Sequence, residues 1–77
     1  MVKIKLFGTV RMKCGMKEME AYTDSVKDAC RIVSLATGFP EKEFKNCTVV
    51  INGRRGKYSS SLKDGDELVF MSPSGGG

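Results

Sequence analysis

The chain has no histidine. That removes Ser-His and Cys-His nucleophile pairs and any mixed Cys/His zinc site. Cys14, Cys30 and Cys47 form no CxxC pair, and an odd count does not suit a disulfide framework. Cys30 and Cys47 read as small buried thiols of a reducing compartment, and Cys14, before Gly15, as the more exposed one. Asp64 and Asp66 flank Gly65 but lack the further oxygen ligands of a calcium loop, so they read as a polar turn. There is neither a Walker lysine motif nor a G-x-G-x-x-G, so this chain is not expected to bind ATP by itself. What remains is the end of the sequence. Gly75-Gly76-Gly77 follows Ser72-Pro73-Ser74. Without side chains, Gly76-Gly77 can thread a tunnel that any Cβ would block, and so bring a carboxylate to a partner enzyme that activates it. The bland alternative is a frayed terminus.

The rest of the chain must hold that tail. Its 77 residues suit one small domain. A domain of this size buries only about 60% of its unfolded surface, which leaves no room for a deep cleft between lobes. The apolar fraction of 40% is that of a folded protein. The net charge of +4 comes from scattered Lys and Arg interleaved with Asp and Glu. No basic run marks nucleic-acid binding, and the pattern reads as a mixed surface that favours acidic partners. Lys3 and Lys5 interrupt the first apolar residues, so no signal peptide is expected. No stretch approaches the roughly 20 apolar residues of a membrane span, and the expected location is the cytoplasm.

The local patterns predict an α+β order of β-β-α-β-β. Val2, Ile4 and Leu6 alternate with Lys3 and Lys5, a strand expected to continue through Phe7 to Val10. Cys14-Gly15 reads as a turn into a weaker strand around Met19 and Ala21. Val26, Ala29, Cys30, Val33 and Ala36 recur at helical spacing, with Ile32 and Leu35 widening the apolar stripe toward the sheet. Ser25-x-x-Asp28 resembles a capping box, Gly38 a C-cap, and Pro40 a stop, which predicts a helix over residues 25–37. Residues 39–46 read as irregular, with at most a short helical turn. Cys47 to Ile51 is the strongest strand, and Asn52-Gly53 after it is the preferred pair for a type I′ turn into a short return strand near Arg55 to Tyr58. Glu67 to Met71 alternates again. The economical packing is one helix on one face of a mixed sheet, with the first and last strands central and parallel. Residues 1–73 form the domain in this reading and 74–77 the tail.

Three segments together resemble the MoaD/ThiS-type ubiquitin-like sulfur carriers, above all the molybdopterin synthase small subunits. Val2 to Arg11 is similar to that family's first strand, at Phe7 and Arg11 in particular. Leu62-Lys63-Asp64-Gly65-Asp66-Glu67-Leu68 is similar to its L-x-D-G-D-E-V segment. Pro73, Gly76 and Gly77 match its closing P-x-x-G-G frame, with Ser74 and Gly75 between. The resemblance covers essentially the whole chain and implies a β-grasp fold. It implies no bound cofactor and no catalysis by the free chain. An adenylyltransferase resembling ubiquitin's activating enzyme would use ATP to adenylate Gly77, with Gly76 giving access. A sulfur donor such as a cysteine desulfurase system would convert that end to a thiocarboxylate. The large subunit of molybdopterin synthase, or another acceptor, would take the sulfur. Partner contacts are implied at Phe7, Arg11 and Met71, and in the tail at Pro73 and Gly75. Phe7 points away from the alternating core set, and reads either as an exposed anchor or as part of a second core face; Arg11 reads either as a docking charge or as a solvated one. The chain departs from the family at Met12, at Ser72 before Pro73, and at Arg54-Arg55, where the family often places an apolar residue. A carrier for thiamin, a protein modifier joined through Gly77, and a binding module with an inert tail are the competing readings.

Overall fold

The computed structural model of the protein describes residues 1–72. Five strands form one mixed sheet: β1 (Val2–Phe7), β2 (Glu18–Ala21), β3 (Thr48–Ile51), β4 (Arg54–Arg55) and β5 (Glu67–Met71). Their order is β2-β1-β5-β3-β4, and β1 pairs with β5 in parallel. The expected β-grasp arrangement, with the first and last strands at the centre, is the one found. Two helices, α1 (Thr9–Cys14) and α2 (Val26–Thr37), and a 3₁₀ helix (Glu41–Asn46) complete the described residues.

The alternation in β1 does what period two requires. Val2, Ile4 and Leu6 are buried, as are Leu68 and Phe70 of β5 and Val49 of β3. Across them lies α2, which contributes Val26, Ala29, Cys30 and Val33. Its caps are those read from the sequence. The Ser25 hydroxyl accepts from the Asp28 N–H at 3.0 Å, and the Gly38 N–H donates to the Ser34 carbonyl at 2.8 Å. The Asn52-Gly53 turn has positive φ at both residues, 52° and 80°, as a type I′ hairpin requires.

Five expectations are corrected. The strand predicted through Val10 stops at Phe7, because Gly8 turns the chain with φ 78° and ψ −151°. The next six residues form α1, which drops Val10 into the core and ends at Gly15 in the left-handed conformation. The apolar stripe of α2 is narrower than predicted: Leu35 and Ala36 are exposed, and Leu35 lies on the side of the helix opposite the buried Val26, Cys30 and Val33. Residues 39–46 are not merely irregular. Phe44 is fully buried, 4.9 Å from the Phe70 ring and 5.0 Å from Phe39 between centroids. It fills the space beside α2 that the sheet alone leaves open. Cys47 is only half-buried, like Cys14, because its strand leaves the 3₁₀ helix at the margin of the core. The return strand is Arg54–Arg55 alone.

Candidate functional site

Gly76 and Gly77, with Pro73 and Gly75, lie outside the described residues. The structure does describe what the tail grows from. Phe7 and Met71 are register partners across the parallel β1–β5 pair, and Thr48 is opposite Met71 on β3. Partnered residues share a face. Phe7 and Met71 therefore stand side by side on the face away from α2, at 44% and 37% exposure. This removes one of the two readings of Phe7: it is exposed on the open face and is not part of a second core face. Half-buried Val69 and Val50, also register partners, extend the patch along the sheet.

Ser72 is the last described residue, and it is tied back to the end of β1. Its N–H donates to the Phe7 carbonyl at 3.3 Å. Its hydroxyl donates to the same carbonyl at 3.4 Å and accepts from the Val10 N–H at 3.4 Å. A Cβ built on Gly8 would overlap the Ser72 hydroxyl, and the Gly8 backbone occupies a region essentially reserved for glycine. Gly8 and Ser72 therefore fasten the end of β5 to the end of β1 beside the Phe7–Met71 patch. Neither was read from the sequence as a site residue. The available signals were a glycine directly after a strand and the serine directly before Pro73.

Arg11 lies on α1, at the same end of the sheet. Its backbone belongs to the helix: its N–H donates to the Gly8 carbonyl at 3.1 Å and its carbonyl accepts from Gly15 at 3.1 Å. The side chain is exposed and makes no ion pair among the described residues.

The Asp64-Gly65-Asp66 segment is structural. Asp66 accepts from the Lys63 N–H at 2.7 Å and from the Asn52 amide at 2.9 Å, and these bonds hold its carboxyl below the usual range. Asn52 also accepts from the Glu67 N–H at 2.9 Å. The clasp joins the β3–β4 turn to the start of β5. Among the described residues no cluster of three His, Cys, Asp or Glu side chains is placed to hold a metal. Burial, chiefly, pushes the Cys30 thiol up to about 12 and raises that of Cys47, so neither is an activated nucleophile at neutral pH. No helix of the described residues is long and apolar enough to cross a membrane.

The sequence matches the ThiS family over residues 4–77. The chain belongs to the ThiS family. This is the ubiquitin-like sulfur-carrier family that its segments resemble. No individually curated protein matches the sequence. Among solved structures, the small archaeal modifier protein 1 of Methanosarcina acetivorans superposes with a TM-score of 0.81 at 23% identity, over 99% of this chain and 95% of that one. A chain of the Amycolatopsis orientalis BexX/CysO complex gives 0.78 at 21%, over 100% of both. A chain of the Helicobacter pylori complex of molybdopterin-converting factor subunits 1 and 2 gives 0.69 at 21%, over 99% and 97%. At these identities the likeness shows the β-grasp fold; the family match shows membership. The ThiS-family match runs through both terminal glycines, so it covers the tail as well as the folded body.

Proposed function

We propose that this ThiS-family chain is a sulfur carrier whose reacting group is the Gly77 carboxylate. The observation that carries this reading is the family match, which extends through Gly76-Gly77. A carboxylate is a poor electrophile at neutral pH, so the first step is activation. An adenylyltransferase of the ubiquitin-activating type transfers AMP from ATP to Gly77. The terminal sulfur of a persulfide, formed on a cysteine desulfurase system, then displaces AMP to give an acyl disulfide, and a thiol reductant cleaves its S–S bond to leave the thiocarboxylate. The described residues support a division of labour in which partners supply the catalysis. Their two titration-shifted thiols, Cys30 and Cys47, are both shifted away from reactivity. The exposed Phe7–Met71 patch supplies a docking surface, and Arg11 a charge at the same end.

The acceptor we favour is the pterin precursor of the molybdenum or tungsten cofactor, reached through the large subunit of a molybdopterin synthase. The molybdopterin-converting factor complex among the structural neighbours supports it, as do the segments around Phe7 and Asp66. A second reading, conjugation of Gly77 to lysines of other proteins, is favoured by the likeness to a small archaeal modifier protein. Intact mass of the untagged protein purified from its own host tests both. Exchange of one oxygen for sulfur at Gly77 is the expected result. Lysine conjugates without that exchange would favour the second reading. Neither product, even with the activating enzyme and ATP supplied, would refute both.

A further inference from the structure

The open face of the sheet carries its charge unevenly. Toward β2, acids and bases alternate across the strands: Lys5 is opposite Glu18, Lys3 is opposite Glu20, and Lys5 reaches Glu67 at 3.2 Å. These charges neutralise one another locally. Toward β4 the balance fails. Arg55 is the register partner of Val50, which is the partner of Val69, so its side chain leaves the same face as the Phe7–Met71 patch. Arg55 is exposed and pairs with no carboxylate among the described residues. Its neighbour Arg54 is the partner of Ile51 and projects from the opposite face.

A guanidinium on the rim of an apolar patch has a double effect when the patch is covered. If the partner offers a carboxylate, the pair forms two parallel charge-assisted hydrogen bonds. If it does not, the arginine is desolvated without compensation and the partner is rejected. We propose that Arg55 is a specificity-determining residue of the docking face, and that it selects a protein partner with a carboxylate set beside an apolar pocket for Phe7 and Met71. The occupant is the adenylating enzyme, because every fate of Gly77 begins with its activation. This proposal rests on the sulfur-carrier reading of the tail. The competing account is that Arg54 and Arg55 merely protect an edge strand from pairing with other chains. That account assigns the two arginines equal roles, whereas face selection separates them.

The test is ATP–pyrophosphate exchange by the purified ubiquitin-activating-type adenylyltransferase from the same genome, with wild-type carrier and with R55A, R55E and R54E. Arg55 is exposed, so the R55 variants should keep the wild-type melting temperature. For R55A we expect KM for the carrier to rise about 10-fold, and for R55E about 100-fold, with kcat nearly unchanged. R54E should change KM by less than about 3-fold. An unchanged KM for R55E, or an equal rise for R54E, would overturn the proposal while leaving the carrier reading intact. Absence of any exchange with wild-type carrier would overturn the activation reading itself, and this proposal with it.

Discussion

Replacing Gly8 by alanine tests the connection between the end of β1 and the base of the tail. Two effects add at this residue. The backbone at φ 78° and ψ −151° is strained for any residue with a Cβ, at about 1–3 kcal/mol. The new methyl would also displace the Ser72 hydroxyl, whose bonds of 3.4 Å to Val10 and Phe7 are at the long end of the range. Their loss adds roughly 1 kcal/mol at most. The expected total is about 2–4 kcal/mol, a large part of the roughly 4–12 kcal/mol that a chain of this length holds in reserve. It corresponds to a fall in Tm of ~10–25 °C. Urea unfolding of wild type, G8A, S72A and the double variant separates the two effects. Once the Ser72 hydroxyl is gone, the nearest remaining atom to the new methyl is the residue-72 Cβ at 3.6 Å, an ordinary contact. G8A should therefore cost about 1 kcal/mol less in the S72A background than in wild type. A G8A cost under about 0.5 kcal/mol would refute the backbone argument. Equal costs in the two backgrounds would refute the steric one.

Two further outcomes follow from the core and the clasp. F44A should destabilise the fold by about 3–5 kcal/mol in urea titration, because a fully buried ring between Phe39 and Phe70 leaves a cavity; a loss under about 1 kcal/mol would show that the 3₁₀ segment is not part of the core. The carboxyl of Asp66 is held below the unfolded value of about 3.9. Its contribution is therefore present above that value and lost as pH falls through the lower folded one. Arg31 and Thr23 lower Asp28 in the same sense, so wild type should lose stability across this acidic window from both groups. D66N should be less stable than wild type at pH 7, and the gap in urea midpoint should close below about pH 4; a gap independent of pH would remove Asp66 from the account.

Much of this protein was legible because local physics decided it. The alternation of Val2, Ile4 and Leu6, the Ser25 and Gly38 caps of α2, and the Asn52-Gly53 turn are each settled within a few residues, and each forms as read. The Asp64-Gly65-Asp66 segment was rightly read as a turn, because two acids and a glycine cannot complete an oxygen shell alone. The misreadings concern residues whose state is set at a distance. Thr9 and Val10 carry strand propensity, yet they enter α1 because Gly8 breaks β1 where Ser72 of β5's end must lie. Phe44 sits in a polar stretch and gives no periodic signal, and only the meeting of the 3₁₀ helix with β5 buries it. Leu35 is apolar but lies on the side of α2 opposite the buried Val26, Cys30 and Val33, so it faces solvent. The proposed chemistry at Gly76-Gly77 was legible in the sequence alone, since access of a terminal carboxylate to a narrow tunnel depends only on residue types without side chains. Tertiary structure decided which residues share the proposed docking face. Phe7 and Met71 are 64 residues apart in the chain and become neighbours only because β1 and β5 pair in parallel, and Arg55 joins their face rather than the opposite one because a type I′ turn fixes its register on Val50.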